Sequence, residues 1–239
     1  MNMSSRTELD QYNPSPEWIR YFLGYGALFL GMLLAKIKVK GRHHIPDKSP
    51  YIVVSNHFDM VDGLFVVYAL QRPITFLMAS DQVLDWYFKW AVWLYGFIPT
   101  NRIKLAPSTI KKAKTILQKK HILGILPEGV STDSKLRRAK RGVVYLSTIE
   151  NTLILPVGVY GLKQAWANWL RGIRPKVQIQ IGKPFWPKDG VSDHMNREEQ
   201  IEIIGKNIMC RIAALLPKKA HGIYSGDTRI ESYAKLNES

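Results

Sequence analysis

Short apolar runs rich in β-branched residues recur along this chain and alternate with segments of helical character. The runs that predict strands are residues 36–40, 51–55, 74–78, 97–99, 122–126, 153–159 and 177–181. The segments that predict helices are 63–70, 85–95, 109–120, 140–150 and 197–216, with Ser108 as the expected N-cap of the third. This alternation predicts an α/β fold with a mostly parallel or mixed central sheet flanked by helices. Functional sites of such folds collect at the carboxyl ends of strands, here after residues 55, 99 and 126.

The length of 239 residues and the lack of an internal repeat favour a single folded domain. Residues 1–36 are expected to form a polar arm and a membrane-associating helix, and residues 37–216 the α/β domain. Residues 217–239 are polar, and we expect a loosely held tail there.

An uncharged stretch near the N-terminus favours contact with a membrane. It comprises the 15 residues from Tyr21 to Ala35, which as a helix span roughly 22 Å against about 30 Å of hydrocarbon. Its aromatic residues suit a membrane interface, and Lys36, Lys38, Lys40 and Arg42 follow at once. We therefore expect an interfacial or re-entrant helix; a membrane span and a buried helix that covers the sheet are the alternatives.

The charge is strongly basic, with 34 Lys and Arg against 19 Asp and Glu, a net charge of +15 and a pI near 9.8. Such a chain favours a polyanionic partner: nucleic acid, an anionic membrane or a phosphorylated substrate. Charge alone does not choose among these three. Cys210 is the single cysteine, which excludes a disulfide or a multi-cysteine metal site within one chain and favours a reducing compartment.

The loop after the second predicted strand contains His57 and Asp62, five positions apart. In a regular helix this spacing separates two side chains by about 140°, so they would not meet. If His57 lies in the strand-to-helix turn and Asp62 in the first helical turn, the two side chains can touch. A carboxylate on one imidazole nitrogen fixes the tautomer and leaves the other nitrogen to take a proton. Asp59 is a second possible partner, but it is less well placed to reach back.

The pair therefore indicates a general base. No G-x-S-x-G motif is present, and Cys210 is remote in sequence, so no protein nucleophile stands beside it. Direct attack by a substrate hydroxyl that His57 deprotonates is the natural interpretation. A structural histidine is the alternative.

The chain resembles the glycerolipid acyltransferases, a family with the motif N-H-x-x-x-x-D that includes glycerol-3-phosphate and lysophosphatidate acyltransferases. Asn56, His57 and Asp62 match that motif. The other three family motifs are similar to Gly96-Phe97-Ile98-Pro99-Thr100-Asn101-Arg102, Leu126-Pro127-Glu128-Gly129-Val130-Ser131 and Leu155-Pro156-Val157-Gly158. Together they extend over residues 37 to about 184, in the family order.

The resemblance implies a membrane-associated O-acyltransferase of phospholipid synthesis, at the cytoplasmic face of a membrane. It implies His57 as base, Asp62 as its orienting carboxylate, and a substrate-binding set of Asn56, Arg102, Glu128 and Gly129. The implied partners are an acyl thioester donor, either acyl-CoA or acyl-ACP, a lipid-like hydroxyl acceptor and an anionic membrane surface. No metal, no redox cofactor and no nucleic acid are expected.

The third motif departs from the family pattern. Val130 and Ser131 stand where the family has Thr-Arg, so one phosphate-binding cation is missing. Lys135, Arg137 or Arg138 are candidate substitutes. The departure also leaves open a different acceptor, such as a glycolipid, another lysophospholipid or an amine lipid. A non-catalytic basic module that binds membrane or nucleic acid is the remaining alternative.

Two further segments have candidate roles. The aromatic set Trp86, Tyr87, Trp90, Trp93 and Tyr95 suits the wall of an acyl groove, with core or membrane-facing packing as the alternative. The lysines of residues 109–120 suit an anionic lipid or a coenzyme A phosphate, with a solvated helix face as the alternative.

Overall fold

A seven-stranded sheet forms the centre of the protein, and helices lie along both of its faces. The computed structural model describes residues 16–59, 61–79, 97–100, 105–129, 134–163, 165–192 and 194–238. The strands are β1 (Lys36–Lys40), β2 (Ile52–Ser55), β3 (Ile74–Ala79), β4 (Phe97–Thr100), β5 (Ile122–Ile125), β6 (Ile154–Tyr160) and β7 (Lys176–Ile181). The helices are α1 (Glu17–Leu34), α2 (Asp62–Leu70), α3 (Pro107–Gln118), α4 (Arg141–Ser147), α5 (Ala165–Leu170), α6 (Arg197–Ala213) and α7 (Thr228–Glu238).

The order of the strands across the sheet is β1-β7-β6-β2-β5-β3-β4. The five strands from β6 to β4 run parallel to one another, β7 is antiparallel to β6, and β1 is parallel to β7. The sheet is therefore mostly parallel with two reversed strands at one side, which confirms the predicted fold class. β1 forms an edge, as its alternation of lysine with apolar residues predicted.

Both faces of the central strands are buried, which explains why β2 begins with three consecutive apolar residues, Ile52, Val53 and Val54. On one face, Ile52 and Val54 belong to a core that includes residues of α3, α4, α6 and α7. On the other face, Tyr51 and Val53 belong to a core that includes residues of α2. β5 is close-packed at Gly124, where a β-carbon would lie 2.4 Å from a ring carbon of Phe76.

Two helix predictions differ from the structure. Helix α3 begins at Pro107 after Ala106, so Ser108 is not its N-cap. A proline is well suited to the first helical turn because its missing N–H would have no intrahelical partner there. The helix predicted over 140–150 is α4 followed by a short 3-10 turn at Ile149–Asn151, where Glu150 has a φ of +60°.

The expectation of a loosely held C-terminal tail is wrong for residues 217–238. Ala220, Tyr224 and Ile230 are buried in the same core as α6. The backbone of Leu136 also donates to Ala220 O at 2.9 Å and accepts from Ile223 N at 3.3 Å. The segment is mostly polar along its exposed side, while a few spaced apolar residues anchor it. The predicted domain boundaries stay predictions.

Helix α1 lies against α2 and is separated from β1 by Ala35. Gly31 permits this close approach, because a β-carbon there would lie 3.2 Å from the Tyr68 ring. None of the helices in the described ranges is both long and apolar enough to cross a membrane.

Candidate active site

The loop that contains His57 connects β2 to α2. Strand β2 lies between β6 and β5, both parallel to it. Because parallel strands end at the same edge of a sheet, the loops after β2 and β5 lie side by side. The structure therefore brings together the predicted positions after residues 55 and 126. The loop after β4, with Arg102, lies outside the described residues.

Asn56 ties the start of this loop to strand β6. Its Nδ2 donates to Val159 O at 2.8 Å, and its Oδ1 accepts from Val159 N, also at 2.8 Å. The side chain is fully buried, with a relative exposure of 0%. The predicted substrate contact of Asn56 stays a prediction; in the structure, both ends of its amide hold the backbone of a neighbouring strand. The sequence offers no signal for this contact, because any residue type can supply the backbone groups.

Asp62, the first residue of α2, closes the loop into a turn. Its Oδ2 accepts from Phe58 N at 2.5 Å and from Asp59 N at 2.7 Å. Asp62 N in turn donates to Asp59 O at 3.2 Å. The start of a helix favours a carboxylate because unpaired backbone N–H groups point towards it. Asp62 therefore folds the residues that follow His57 back towards its own side chain.

This turn brings His57 and Asp62 together. His57 Nδ1 lies 3.6 Å from Asp62 Oδ2, and both His57 Nδ1 and Asp62 Oδ1 are buried without a hydrogen-bond partner. A contraction of about 0.7 Å would form an ordinary N–H···O bond. Burial raises the pKa of the Asp62 carboxyl, and its contacts with His57 and the turn amides oppose this rise.

The imidazole of His57 is partly accessible, with 15% of the side chain exposed. Because Nδ1 faces the carboxylate, Nε2 is the nitrogen left to meet a substrate. Asp59 does not compete for His57, since its Oδ1 accepts from Val61 N at 3.2 Å. His57 lies in the strand-to-helix turn and Asp62 in the first turn of α2, as their contact requires. The catalytic roles of the two residues stay predictions.

Glu128 joins the loop after β5 to the histidine loop. Its Oε2 accepts from His57 N at 2.7 Å and its Oε1 from Arg137 N at 2.9 Å. The residue is 2% exposed, and burial raises its pKa to about 7 although both N–H groups act in the opposite direction. Glu128 therefore positions backbone on both sides of the site, and its predicted contact with substrate stays a prediction. The sequence does not indicate the contact with the Arg137 amide, because any residue type can supply a backbone N–H, as at Val159.

Gly129 completes a tight turn after β5. Its N–H donates to Leu126 O at 3.0 Å, and its φ of +70° lies in the left-handed region that favours glycine. This turn aims Glu128 at His57. The predicted contact of Gly129 with the acceptor stays a prediction.

Several predicted features lie outside the described residues: Val130, Ser131 and the aromatic set of residues 86–95. Of the three candidate substitute cations, Arg138 pairs with Glu202 and Arg137 contributes its backbone to Glu128. Within the described part of the chain, no three His, Cys, Asp or Glu side chains gather as a metal site. The expectation that no metal or redox cofactor is needed stays a prediction.

The chain is similar in sequence and in fold to known acyltransferases. The acyltransferase family model matches residues 36–160, a little more than half of the chain. A 1-acyl-sn-glycerol-3-phosphate acyltransferase of Borreliella burgdorferi is 30% identical over 52% of this chain and 51% of its own length. The enzyme of the same name from Limnanthes douglasii is 27% identical over 74% of this chain and 68% of its own. The alpha form from Homo sapiens is 29% identical over 51% of this chain and 44% of its own.

The chain thus spans about half the length of the first of these relatives and about two thirds of the second. The crystal structure of the 1-acyl-sn-glycerophosphate acyltransferase PlsC from Thermotoga maritima matches with a TM-score of 0.55 and 20% identity, over 79% of each chain. That likeness shows a shared fold. The family match covers every described residue that builds the site on strands β2, β5 and β6, and the chain therefore belongs to the acyltransferase family.

Proposed function

We propose that this protein transfers a fatty acyl group from a thioester to the hydroxyl of 1-acylglycerol-3-phosphate or a closely related lysophospholipid. The observation that carries the proposal is the placement of His57 against Asp62 in a turn fixed by Asn56 and Glu128. The names of the relatives support the choice of acceptor.

In this mechanism the acceptor hydroxyl gives its proton to Nε2 of His57 as its oxygen attacks the thioester carbonyl carbon. A tetrahedral oxyanion forms and collapses with cleavage of the carbon–sulfur bond. The imidazolium returns the proton to the departing thiolate, so that the products are an ester and a free thiol. Asp62 stabilises the imidazolium while it exists, as a buried carboxylate beside a histidine does in hydrolases.

The rigid turn is part of the chemistry. A general base is effective only when it is held within hydrogen-bond reach of the proton it takes. His57 has its own backbone N–H fixed by Glu128, and the next two amides are fixed by Asp62. The base therefore loses little conformational entropy when the acceptor binds.

The acceptor lies in or at a membrane, since a lysophospholipid partitions there. The basic charge of the chain and the aromatic residues exposed on α1 support association with an anionic bilayer. The missing cation at Val130-Ser131 supports a second candidate acceptor, another lipid with an alcohol or amine and a smaller demand for phosphate binding.

The test is the release of free thiol from an acyl thioester by purified wild-type and His57→Ala protein. Acyl-CoA and acyl-ACP are each offered with lysophosphatidate, glycerol-3-phosphate and a panel of other lipid alcohols. Release that requires lysophosphatidate and falls by about a thousandfold in the variant is the expected result. Preference for another acceptor would select the second candidate. If no pair of donor and acceptor gives more thiol release with wild type than with His57→Ala, the catalytic proposal is overturned.

A further inference from the structure

Helix α1 exposes a continuous apolar stripe. Trp18, Phe22, Tyr25, Phe29 and Met32 recur at helical spacing along its outer side, and Phe22 and Phe29 are about 70% exposed. The opposite side, with Gly24 and Gly31, faces α2. A contiguous exposed apolar stripe of this length marks an interaction site.

A second apolar projection lies beside the C-terminal end of α1. Leu170, the last residue of α5, is 90% exposed, and Ile173 in the loop that follows is 53% exposed. We call the following five residues the docking patch: Phe29, Met32 and Leu33 of α1, together with Leu170 and Ile173. The second part of this patch is far from α1 in sequence, and only the fold brings it there.

Hydrogen bonds fix the two parts of the docking patch to each other. Trp169 Nε1 donates to Leu34 O at 2.8 Å, and Arg174 Nη2 donates to Ala35 O at 2.9 Å and also to Met32 O. These carbonyls belong to the end of α1, where no intrahelical N–H is available. Backbone carbonyls must be satisfied within the protein before a helix end can enter a lipid phase. The end of α1 therefore meets a condition for contact with hydrocarbon.

The register of the sheet places this patch at the edge of the candidate active site. Ser55, just before the histidine loop, pairs with Val157 in β6, and Tyr160 at the end of β6 pairs with Gln178. Because β7 runs antiparallel to β6, Lys176 lies two residues past the Tyr160–Gln178 pair, beyond the carboxyl end of β6. Lys36 of β1 pairs with Lys176 and lies at the same height. The end of α1 and the Leu170–Arg174 loop directly precede these two lysines. The docking patch and His57 thus share one edge of the sheet.

The two segments that build the patch carry charges of one sign. The sequence has no Asp or Glu from Trp18 to Pro46, or from Asn151 to Lys188. Arg171, Lys176 and Lys36 are exposed beside the apolar residues. Apolar residues on segments whose charges are all positive complement a bilayer that contains anionic phospholipid.

We propose that the Leu170–Arg174 loop is a second membrane-docking element, which inserts with the C-terminal half of α1 into an anionic phospholipid surface. This inference rests on the proposed function, since it gives a lipid acceptor a short route from the bilayer to His57. Leu170 and Ile173 enter the hydrocarbon, Arg171 contacts headgroup phosphates, and Trp169 and Arg174 hold the two elements together.

Insertion is tested directly with a fluorophore at position 170. Cys210 is fully buried and burial raises its thiol pKa to about 11, so a cysteine placed at the surface can be labelled alone. When the Leu170→Cys protein carries an environment-sensitive dye, the emission maximum of the dye should shift to the blue with vesicles of phosphatidylcholine and phosphatidylglycerol. The shift should be much smaller with phosphatidylcholine alone. Ile223→Cys is the matched control: Ile223 is 66% exposed, and its neighbour Tyr224 packs on the opposite face of the sheet from Trp169, the residue before Leu170, so its dye emission should not shift.

A second variant measures the contribution to binding. Replacing Leu170 and Ile173 together by Ser should weaken sedimentation with the mixed vesicles by about tenfold or more. Arg171→Glu should weaken it most at low salt. His57→Ala should bind vesicles like wild type, so a failure of acyl transfer and a failure of docking are separable. Because both apolar side chains are exposed, an unchanged circular dichroism spectrum and melting temperature are expected.

Three outcomes would overturn the proposal: no dye shift at position 170 with anionic vesicles, a double Ser variant that binds as tightly as wild type, or a patch that pairs two copies of the chain. The last is detected by light scattering, as a wild-type dimer that the double variant converts to monomer without any change in vesicle binding.

Discussion

At the scale of single residues, the site consists of side chains that bind backbone. Asn56 holds β6, Glu128 holds the amides of His57 and Arg137, and Asp62 holds the two amides after His57. Each of these side chains is almost fully buried, where an unpaired polar group is costly. The contacts of Asn56, Glu128 and Asp62 thus fix the backbone around His57 before a substrate binds.

The first prediction concerns the carboxylate beside the base. Asp62→Asn should lower kcat by about a hundredfold or more, because a neutral amide does not stabilise the imidazolium. Steady-state acyl transfer at saturating donor and acceptor measures this. Asp59→Asn is the control: within the described part of the chain, its side chain accepts a hydrogen bond from Val61 N, which an amide oxygen can also accept, so we expect a loss of less than about threefold. Equal losses in the two variants would contradict the pairing of His57 with Asp62.

The second prediction tests the structural role of Asn56. Asn56→Ala removes both bonds to Val159 and leaves a buried N–H and C=O without partners, so the free energy of unfolding should fall by about 2–4 kcal/mol. Urea denaturation measures the change. A variant with wild-type stability and a raised KM for the acceptor would contradict the structural role and favour the predicted substrate contact.

The third prediction concerns pH. Burial raises the pKa of Glu128 to about 7, above the value of about 4.3 for an unfolded chain. The folded state therefore holds this proton more tightly, so its stabilising contribution is present below about pH 4.3 and is lost as the pH rises through 7. Glu128→Gln removes the titration. The unfolding free energy of wild type minus that of the variant should fall by about 3 kcal/mol from about pH 4 to pH 8.

Paired urea titrations of wild type and Glu128→Gln at several pH values give this difference, from which the titration of all other groups cancels. A difference that stays constant with pH would show that the carboxyl titrates alike in both states.

At the scale of elements, the C-terminal segment belongs to the folded domain. The fourth prediction is that Ile230→Ala in α7 lowers the free energy of unfolding by about 2–4 kcal/mol, because it leaves a cavity in the core shared with α6. Ile223→Ala, at an exposed position in the same segment, should change it by less than about 0.5 kcal/mol. Chemical denaturation of both variants checks this. If both variants change the free energy of unfolding by less than about 0.5 kcal/mol, residues 217–238 are a loosely held tail.

The element predictions that hold are those with a clear period. β1 alternates lysine with apolar residues and lies at an edge, and β2 begins with three consecutive apolar residues and lies at the centre. The ends of helices were harder to place. Both Pro107 and Ser108 are suitable first residues, and the conformation of Glu150 at φ +60° depends on contacts that local sequence does not contain.

At the scale of the whole molecule, the direction of the strands places the site. Five parallel strands present their carboxyl ends at one edge, so the loops after β2 and β5 meet there although His57 and Glu128 are 71 positions apart in sequence. The reversed strands β7 and β1 bring the end of α1 to the same edge. A sheet with β1 and β7 turned the other way would put the docking patch at the opposite edge from His57.

The sequence by itself determined the class of fold and the pair of His57 and Asp62, because apolar periodicity and a short motif are local properties. The resemblance of four ordered motifs also indicated the family, and the match over residues 36–160 confirms it. Only the tertiary structure decided that Asn56 and Glu128 bind backbone, that residues 217–238 pack on the core, and that Leu170 lies beside α1. These facts depend on backbone groups and on residues distant in sequence, which carry no residue-type signal until the chain is folded.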